Sequence, residues 1–487
     1  MSEKSFTTTN PATGAPVATY PDSSRESVDR AVSRAQDASI PWQALGFKKR
    51  RKILLKWAKY LTDSIDEGAR WVFEETGKPE SDARLEFTLA IGHLAWAAKN
   101  AEYVLATQRR RPGLIMLNMK ATVERKPYGV IGVIGPWNYP VFTPMGSIAY
   151  ALAAGNTVVL KPSEYTPGVA VWLEESFSKC APFEGIFSVV TGLPDTGRYL
   201  TESAVNKVAF TGSTRTAKKV AASCAERMTP VVLECGGKDP VLVDRDADLE
   251  LAAENTLWSA MSNAGQTCIG AERVYVHHEV ADRFIERITE LAQRVESGKN
   301  YGPATMPSQL KVISEHIKDA KALGGRFLLG GSESVGERYV SPVIITDLDE
   351  SSKAITEETF GPTLVINRVQ DMDDAIERSN ATRYGLGAAV FSKRNGEAIA
   401  ARIESGMVSI NSVISFAAVA SVPFGGIKES GYGRIHGAEG LLEFTYPKST
   451  VMARFQLPLH FTTFRRSAFA DKVVVGLIKL LHGRSLG

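Results

Sequence analysis

Cysteine is scarce in this chain: Cys180, Cys224, Cys235 and Cys268 are the only four in 487 residues. They form no CxxC pair and no zinc-like spacing, which argues against a disulfide scaffold and a cysteine-bound metal, and no metal is expected. No apolar run approaches the roughly 18 residues of a membrane-spanning helix. Charge of one sign is scarce as well. A formal net charge of +3 gives no body for binding polyanions, so no nucleic-acid partner is expected. There is no internal repeat, no low-complexity linker and no secretory pattern at Met1–Asn10. The chain is therefore expected to be cytoplasmic, with reduced thiols. In that setting a cysteine in a Gly- and Asn-rich loop is either a nucleophile or inert packing.

The composition that remains, 44% hydrophobic and 23% charged, is that of an ordinary globular protein with room for two or three domains. The positive excess is local. Residues 455–487 carry Arg465, Arg466, Lys472, Lys479 and Arg484 against Asp471, a net of +4, and the rest of the chain sits near −1.

Val28, Ala31, Val32 and Ala35 recur at helical spacing within 25–39. Helical patterning continues through about 47–107, interrupted by Gly77-Lys-Pro79. From about 128, β-branched runs at 130–134, 157–160, 186–191, 207–210, 231–233 and 241–243 alternate with helical stretches, among them 168–180 and 216–227. A second alternating region runs from 247 to about 410, with strand candidates at 273–277, 363–367 and 387–391. Such alternation predicts an α/β fold: mostly parallel sheets covered by helices, with ligands bound outside the carboxyl ends of strands. Two α/β lobes fit an enzyme with a cleft between them.

Several motifs sit where chemistry would need them. Gly129-Val-Ile-Gly-Val-Ile-Gly135 lacks the G-x-G-x-x-G spacing and reads as a buried strand. In the following Pro136-Trp137-Asn138-Tyr139-Pro140, Asn138 is either a stiffly mounted oxyanion donor or part of a turn. Lys161 and Glu164, after a β run, are ribose ligands or a surface pair. Phe210-Thr211-Gly212-Ser213 leads into a helix, where its amides face a phosphate or Ser213 simply caps. Glu234 ends an apolar strand beside Gly236 and Gly237. Desolvation there would raise its pKa toward that of a general base at neutrality; the alternative is a helix cap. Cys268, in Asn263-Ala-Gly-Gln-Thr-Cys268, has small neighbours and a backbone N–H of its own to offer an oxyanion. Glu357-Glu358-Thr-Phe360-Gly-Pro362 adds a carboxylate and an aromatic before a turn.

Taken in order, PWNYP, KPSE, FTGS, LECGGK, NAGQTC, EETFGP and PFGG make the chain resemble the aldehyde dehydrogenase superfamily, non-acylating and NAD(P)-dependent, from Asn10 to about Thr450. The resemblance implies Cys268 as nucleophile, Glu234 as the base that activates water, and Asn138 with the Cys268 N–H as oxyanion donors. It implies Lys161 and Glu164 on the adenosine ribose, Glu358 on the nicotinamide ribose, Phe360 beside the nicotinamide, Ser213 on the pyrophosphate, and Trp137, Thr211, Gly212 and Gly236 around the cofactor. The implied fold is a Rossmann-like cofactor domain (1–108 and 128–236), an α/β catalytic domain (237–432), and a small β oligomerisation element (109–127 and 433–454). The tail 455–487 follows it, and a homodimer or homotetramer is expected. The run Ser213-Thr-Arg215-Thr-Ala217 lacks the second glycine usual after FTGS, and Cys235 replaces a common Leu. Glu164 should repel a 2′-phosphate while Arg215 tolerates one, so NAD is expected, with NADP as the alternative. An acylating enzyme would release its thioester to coenzyme A, which Glu234 argues against. A silent binding protein on the same fold does not explain an intact Cys268, Glu234 and Asn138, and a cysteine hydrolase does not explain the ribose ligands.

Relatives acting on small aldehydes often carry a bulky aromatic where Gly146 falls, and succinate-semialdehyde enzymes tend to carry an Arg nearby; neither is present. The loop Ser415–Ala420 is uncharged as well. A wide apolar tunnel is therefore expected, taking long-chain, aromatic or terpenoid aldehydes. In the tail, Ala470, Val473, Val474, Leu477, Ile478 and Leu481 form an amphipathic stripe with Lys472 and Lys479 off it. That stripe packs on protein or makes weak peripheral contact with a membrane through 470–482. Liposome flotation separates the two: binding that is lost when the chain is ended at Arg454 marks the membrane.

Overall fold

A computed structural model describes residues 4–456 and 463–483. Met1–Glu3 and, in the basic tail, residues 457–462 and 484–487 with Arg484 lie outside the described residues. The chain divides into two compact units, one of Met1–Val104 with Pro127–Phe444, the other of Leu105–Lys126 with Thr445–Gly487.

In the larger unit, the helix Arg25–Ala44 buries Val28, Ala31, Val32 and Ala35, the stripe read from its spacing. Ser24 caps it, accepting from the Ser27 amide at 3.3 Å. The helical texture over 47–107 resolves into Gly46–Asp63, Ile65–Thr76 and Glu80–Val104. Gly77, at φ 70°, takes the left-handed conformation that ends the second of these before Pro79.

A six-stranded sheet runs in the order Gly431–Tyr432, Val231–Glu234, Lys207–Thr211, Val130–Ile134, Thr157–Lys161, Phe187–Val189. The last five strands are mutually parallel, and Gly431–Tyr432 joins antiparallel to Val231–Glu234. The strands are apolar on both faces because helices cover both: Val130, Ile131, Val158, Val159, Leu160 and Val208 are all fully buried. From Val130–Ile134 the chain first winds outward to one side, then returns to build the other side from Lys207–Thr211. The strand order thus reverses between these two neighbours, and a crevice opens beyond their carboxyl ends.

A seven-stranded sheet is ordered Arg326–Leu329, Val343–Thr346, Thr363–Val369, Ala271–His277, Asp239–Val243, Gly387–Phe391, Met407–Ile410, parallel except at its first pair. Asp239–Val243, which continues the alternation of the first region in sequence, pairs here, with Ala271–His277 and Gly387–Phe391. Only Cys235–Lys238 separates it from Val231–Glu234. This short connection brings the carboxyl edge of the first sheet against the amino edge of the second.

In the smaller unit, Thr445–Ala453, Met119–Pro127 and Gln108–Arg110 form a three-stranded sheet. Ala468–His482 is a helix capped by Ser467, which accepts from the Ala470 amide at 3.2 Å. Of the expected stripe only Ala470 is buried; Val473, Ile478 and Leu481 are 37–40% exposed. Among the described residues no helix is long and apolar enough to cross a membrane.

Candidate active site

Cys268 follows a tight turn in which Asn263 (φ 52°), Ala264 (φ 58°) and Gly265 (φ 71°) are all left-handed. Such backbone persists only where its surroundings over-determine it. Asn263 Nδ2 donates to the carbonyls of Asn138 and Gln266, both at 3.1 Å. Gln266 Nε2 donates to the Asn263 carbonyl at 2.8 Å, while its Oε1 accepts from the Thr305 amide at 2.9 Å. A side chain at Gly265 would run into the backbone of Gly361 and Pro362. The NAGQTC run is thus a set of clamps holding one thiol.

Asn138 is buried, and its Nδ2 donates to the Gln266 carbonyl at 2.9 Å, leaving a second amide hydrogen unspent by that bond. Its own carbonyl accepts from Lys78 Nζ at 2.8 Å. Lys78 is paired with Glu86 at 2.9 Å, and Glu86 Oε1 accepts from the amides of Val141 and Phe142. This buried pair, which sequence reading missed, fastens the PWNYP segment to two helices. A second pair, Lys238 with Glu272, does the same for the EETFGP segment. Glu272 accepts from the amides of Thr359 (2.8 Å) and Phe360 (3.0 Å), and Lys238 Nζ donates to Thr359 Oγ1 at 3.1 Å. Phe360, at φ 53°, then meets the Trp137 ring edge-on at 5.6 Å. Glu358 Oε1 accepts from the Gly237 amide at 3.1 Å.

Two cavities result. One, of about 800 Å³, opens at the strand-order reversal and is lined by Trp137, Asn138, Thr211, Gly212, Ser213, Glu234, Cys235, Gly236, Cys268, Glu358 and Phe360. Ser213 lines it and also caps the helix Thr214–Ala225. The other, of about 860 Å³, is walled mainly by apolar side chains such as Leu85, Leu89, Phe142, Trp258, Ile269 and Phe424. Among the described residues only Thr143, Glu234 and Cys268 line both. Lys161 and Glu164 are not among the lining residues of either. They form a pair at 3.4 Å at the end of the adjacent strand, Lys161 being buried. The gap expected beside Gly146 is not open: a Cβ there would lie 2.6 Å from His436 Nε2 and 3.0 Å from Ile435 Cδ1.

The aldehyde dehydrogenase family model matches residues 1–450 of the chain. The chain belongs to the aldehyde dehydrogenase family. Two curated relatives are similar along most of their length. A 3-sulfolactaldehyde dehydrogenase of Pseudomonas putida is 35% identical over 91% of this chain and 93% of its own. A 4,4'-diapolycopene aldehyde oxidase of Methylomonas sp is 32% identical over 97% and 91%. Among solved structures, an NAD-dependent aldehyde dehydrogenase from Sinorhizobium meliloti superposes with a TM-score of 0.90 at 31% identity, covering 94% of this chain and 93% of that one. An NADP-dependent glyceraldehyde-3-phosphate dehydrogenase from Bacillus halodurans C-125, complexed with NADP, gives 0.87 at 32% identity over 93% and 96%.

The electrostatics of this aldehyde dehydrogenase follow from burial. Both Glu234 carboxyl oxygens are buried without a hydrogen-bond partner among the described residues. Desolvation raises the group to about 7, partly offset by the nearby Cys268 thiol and Thr211 hydroxyl. Burial likewise raises Glu358 to about 8. The Cys268 thiol is pushed well up, first by desolvation and then by the carboxylates of Glu234, Glu358 and Asp239. It therefore rests protonated and needs an acceptor for its proton. Cys268 is also the one cysteine with partial solvent exposure; Cys180, Cys224 and Cys235 are buried.

Proposed function

We propose that the enzyme oxidises a neutral, largely apolar aldehyde to its carboxylic acid, with NAD preferred and NADP the alternative. The observation that carries this reading is the shared wall: nucleophile and base stand between the more polar of the two chambers, suited to a dinucleotide, and a more apolar one suited to an aldehyde.

The dinucleotide fits the residues present. Gly236 has no side chain to displace the Glu358 carboxylate, which a Cβ would overlap. Trp137 and Phe360 offer ring faces, Glu358 an acceptor for ribose hydroxyls, and Ser213 with the following helix a phosphate contact. Lys161 and Glu164 would reach the second ribose, where the Glu164 carboxylate disfavours a 2′-phosphate. An oxidised nicotinamide, when bound, would favour the ionised forms of the carboxylates around the thiol and of the thiol itself. When bound, the cofactor supplies the hydride acceptor.

Cys268 Sγ gives up its proton to water and adds to the aldehyde carbon, and the oxygen that becomes anionic is met by the Asn138 amide and the Cys268 N–H. Once the acyl group is held as a thioester, Glu234 takes a proton from water, which attacks the acyl carbon and releases the acid and the free thiol.

For the substrate, the charged side chains of the apolar chamber decide. They are Lys78, Asp82, Glu86 and Glu234, and the sole cation, Lys78, is committed to Glu86 and the Asn138 carbonyl. A sulfonate or carboxylate on the substrate would be desolvated there without a partner. Octanal and benzaldehyde are expected to exceed succinate semialdehyde by about tenfold or more in kcat/KM with NAD, given that cost, and to exceed acetaldehyde as well. Superior turnover of acetaldehyde or succinate semialdehyde would overturn the substrate class, and higher kcat/KM with NADP the cofactor preference. Product identity unchanged by added coenzyme A would exclude acyl transfer to it.

A further inference from the structure

The helix Ala468–His482 is an apolar element that the chemistry leaves unused. Phe469 and Leu480 widen the stripe read from its spacing to about half of the helix circumference. Much of that half is open to solvent. Leu480 is 73% exposed and Phe469 67%, Val473, Ile478 and Leu481 are each more than a third exposed, and Phe464, just before the helix, is fully exposed. Contiguous apolar exposure of this kind marks an interaction surface.

Charge selects the partner. Lys472 and Lys479 lie on the other half of the circumference, and Arg465 and Arg466 precede the helix. Asp471 is the only acidic residue from 463 to 483, and Arg466 neutralises it at 2.5 Å. No carboxylate among the described residues pairs with Arg465, Lys472 or Lys479. A second copy docked through the same face would set these cations against their own counterparts, which repel. The rest of the chain, near −1 overall, offers them no acidic body either. An anionic lipid surface suits both halves of the helix at once: it takes apolar side chains at the headgroup boundary and attracts the bases beside them.

We propose that Ala468–His482 is a peripheral anchor that lies in the plane of an anionic bilayer, with Phe469 and Leu480 inserted and Arg465, Lys472 and Lys479 at the headgroups. Its 15 residues span about 22 Å at the α-helical rise, short of the roughly 30 Å hydrocarbon core, so it rests in the interface without crossing. One short helix and a few bases give reversible attachment.

The test is co-flotation of the full-length enzyme with vesicles of phosphatidylglycerol and phosphatidylcholine, against vesicles of phosphatidylcholine alone. Partitioning onto the anionic vesicles is expected to be about tenfold or more stronger at low ionic strength, and to weaken as salt screens the bases. Phe469→Ser with Leu480→Ser should weaken binding to the anionic vesicles by about tenfold or more, because inserted apolar area is lost. Lys472→Glu with Lys479→Glu should abolish the preference for phosphatidylglycerol. All four side chains are exposed, so both variants should keep wild-type aldehyde oxidation, which also checks their folding. Failure of the wild type to float with the anionic vesicles overturns the proposal, as does flotation that neither pair of substitutions weakens. A changed oligomeric mass of the serine variant in light scattering, with vesicle binding intact, assigns the helix to a protein interface and also overturns it. Each of these outcomes leaves the aldehyde reading intact, because oxidation is measured separately.

Discussion

Cys268→Ala is expected to lower steady-state aldehyde oxidation by about four orders of magnitude or more, since covalent catalysis has no other route here. Cys180, Cys224 and Cys235 are buried, and Cys180 and Cys224 line neither chamber. Cys235 lines the polar chamber, but burial pushes its thiol up to about 12, which leaves it unfit as a substitute. The turn that carries Cys268 is held by Asn263, Gln266 and Gly265, not by the sulfur, so the variant should fold and bind NAD as before. Stopped-flow absorbance of NADH, with NAD binding followed by quenching of protein fluorescence, checks both halves. Substantial oxidation by a correctly folded variant would remove the proposed nucleophile.

Glu234→Gln should lower kcat by about 10² to 10⁴, the range for loss of a general base. The amide cannot take the proton from water, so acyl-enzyme should accumulate. A first-turnover burst of NADH, close to one per site, would precede the slow phase. In the wild type kcat should climb as pH passes about 7, because only the ionised carboxylate acts as a base. That rise should vanish in the variant. The same raised pKa acts on stability with opposite sign. The folded state holds a proton on Glu234 between the ordinary carboxylate range and about 7, so its contribution is lost as pH rises through that window. Unfolding midpoints of the wild type should therefore fall relative to Glu234→Gln over that window. A variant with unimpaired multiple turnovers would transfer the base role elsewhere.

Much of the architecture was legible because burial leaves a mark in local patterning. Val28, Ala31, Val32 and Ala35 announce a helix face, and uninterrupted β-branched runs announce strands covered on both sides. Sheet membership was less legible: nothing within Asp239–Val243 says that it changes sheets, since both sheets demand the same apolar run. The candidate site was legible where chemistry sits in compact motifs, as at Glu234, Cys268 and Asn138. The struts behind it were not. Lys78 with Glu86, and Lys238 with Glu272, are pairs of residues that read as surface charge until the fold removes them from water. The Gly-Lys-Pro turn was a signal for Lys78, because a lysine locked between two backbone breakers has a fixed station. Gly146 misled for the converse reason. An absent side chain records that space is needed there, not what fills it, and His436 arrives from 290 positions away to do so.

The wall of Thr143, Glu234 and Cys268 has a kinetic corollary. If the chambers hold what we propose, each would empty on its own account: a departing carboxylic acid would not have to dislodge the dinucleotide, nor the dinucleotide the acid. Released acid would then contend with incoming aldehyde for one berth and leave the other free. Flux through the enzyme would then respond separately to backed-up product and to the redox state of the coenzyme pool.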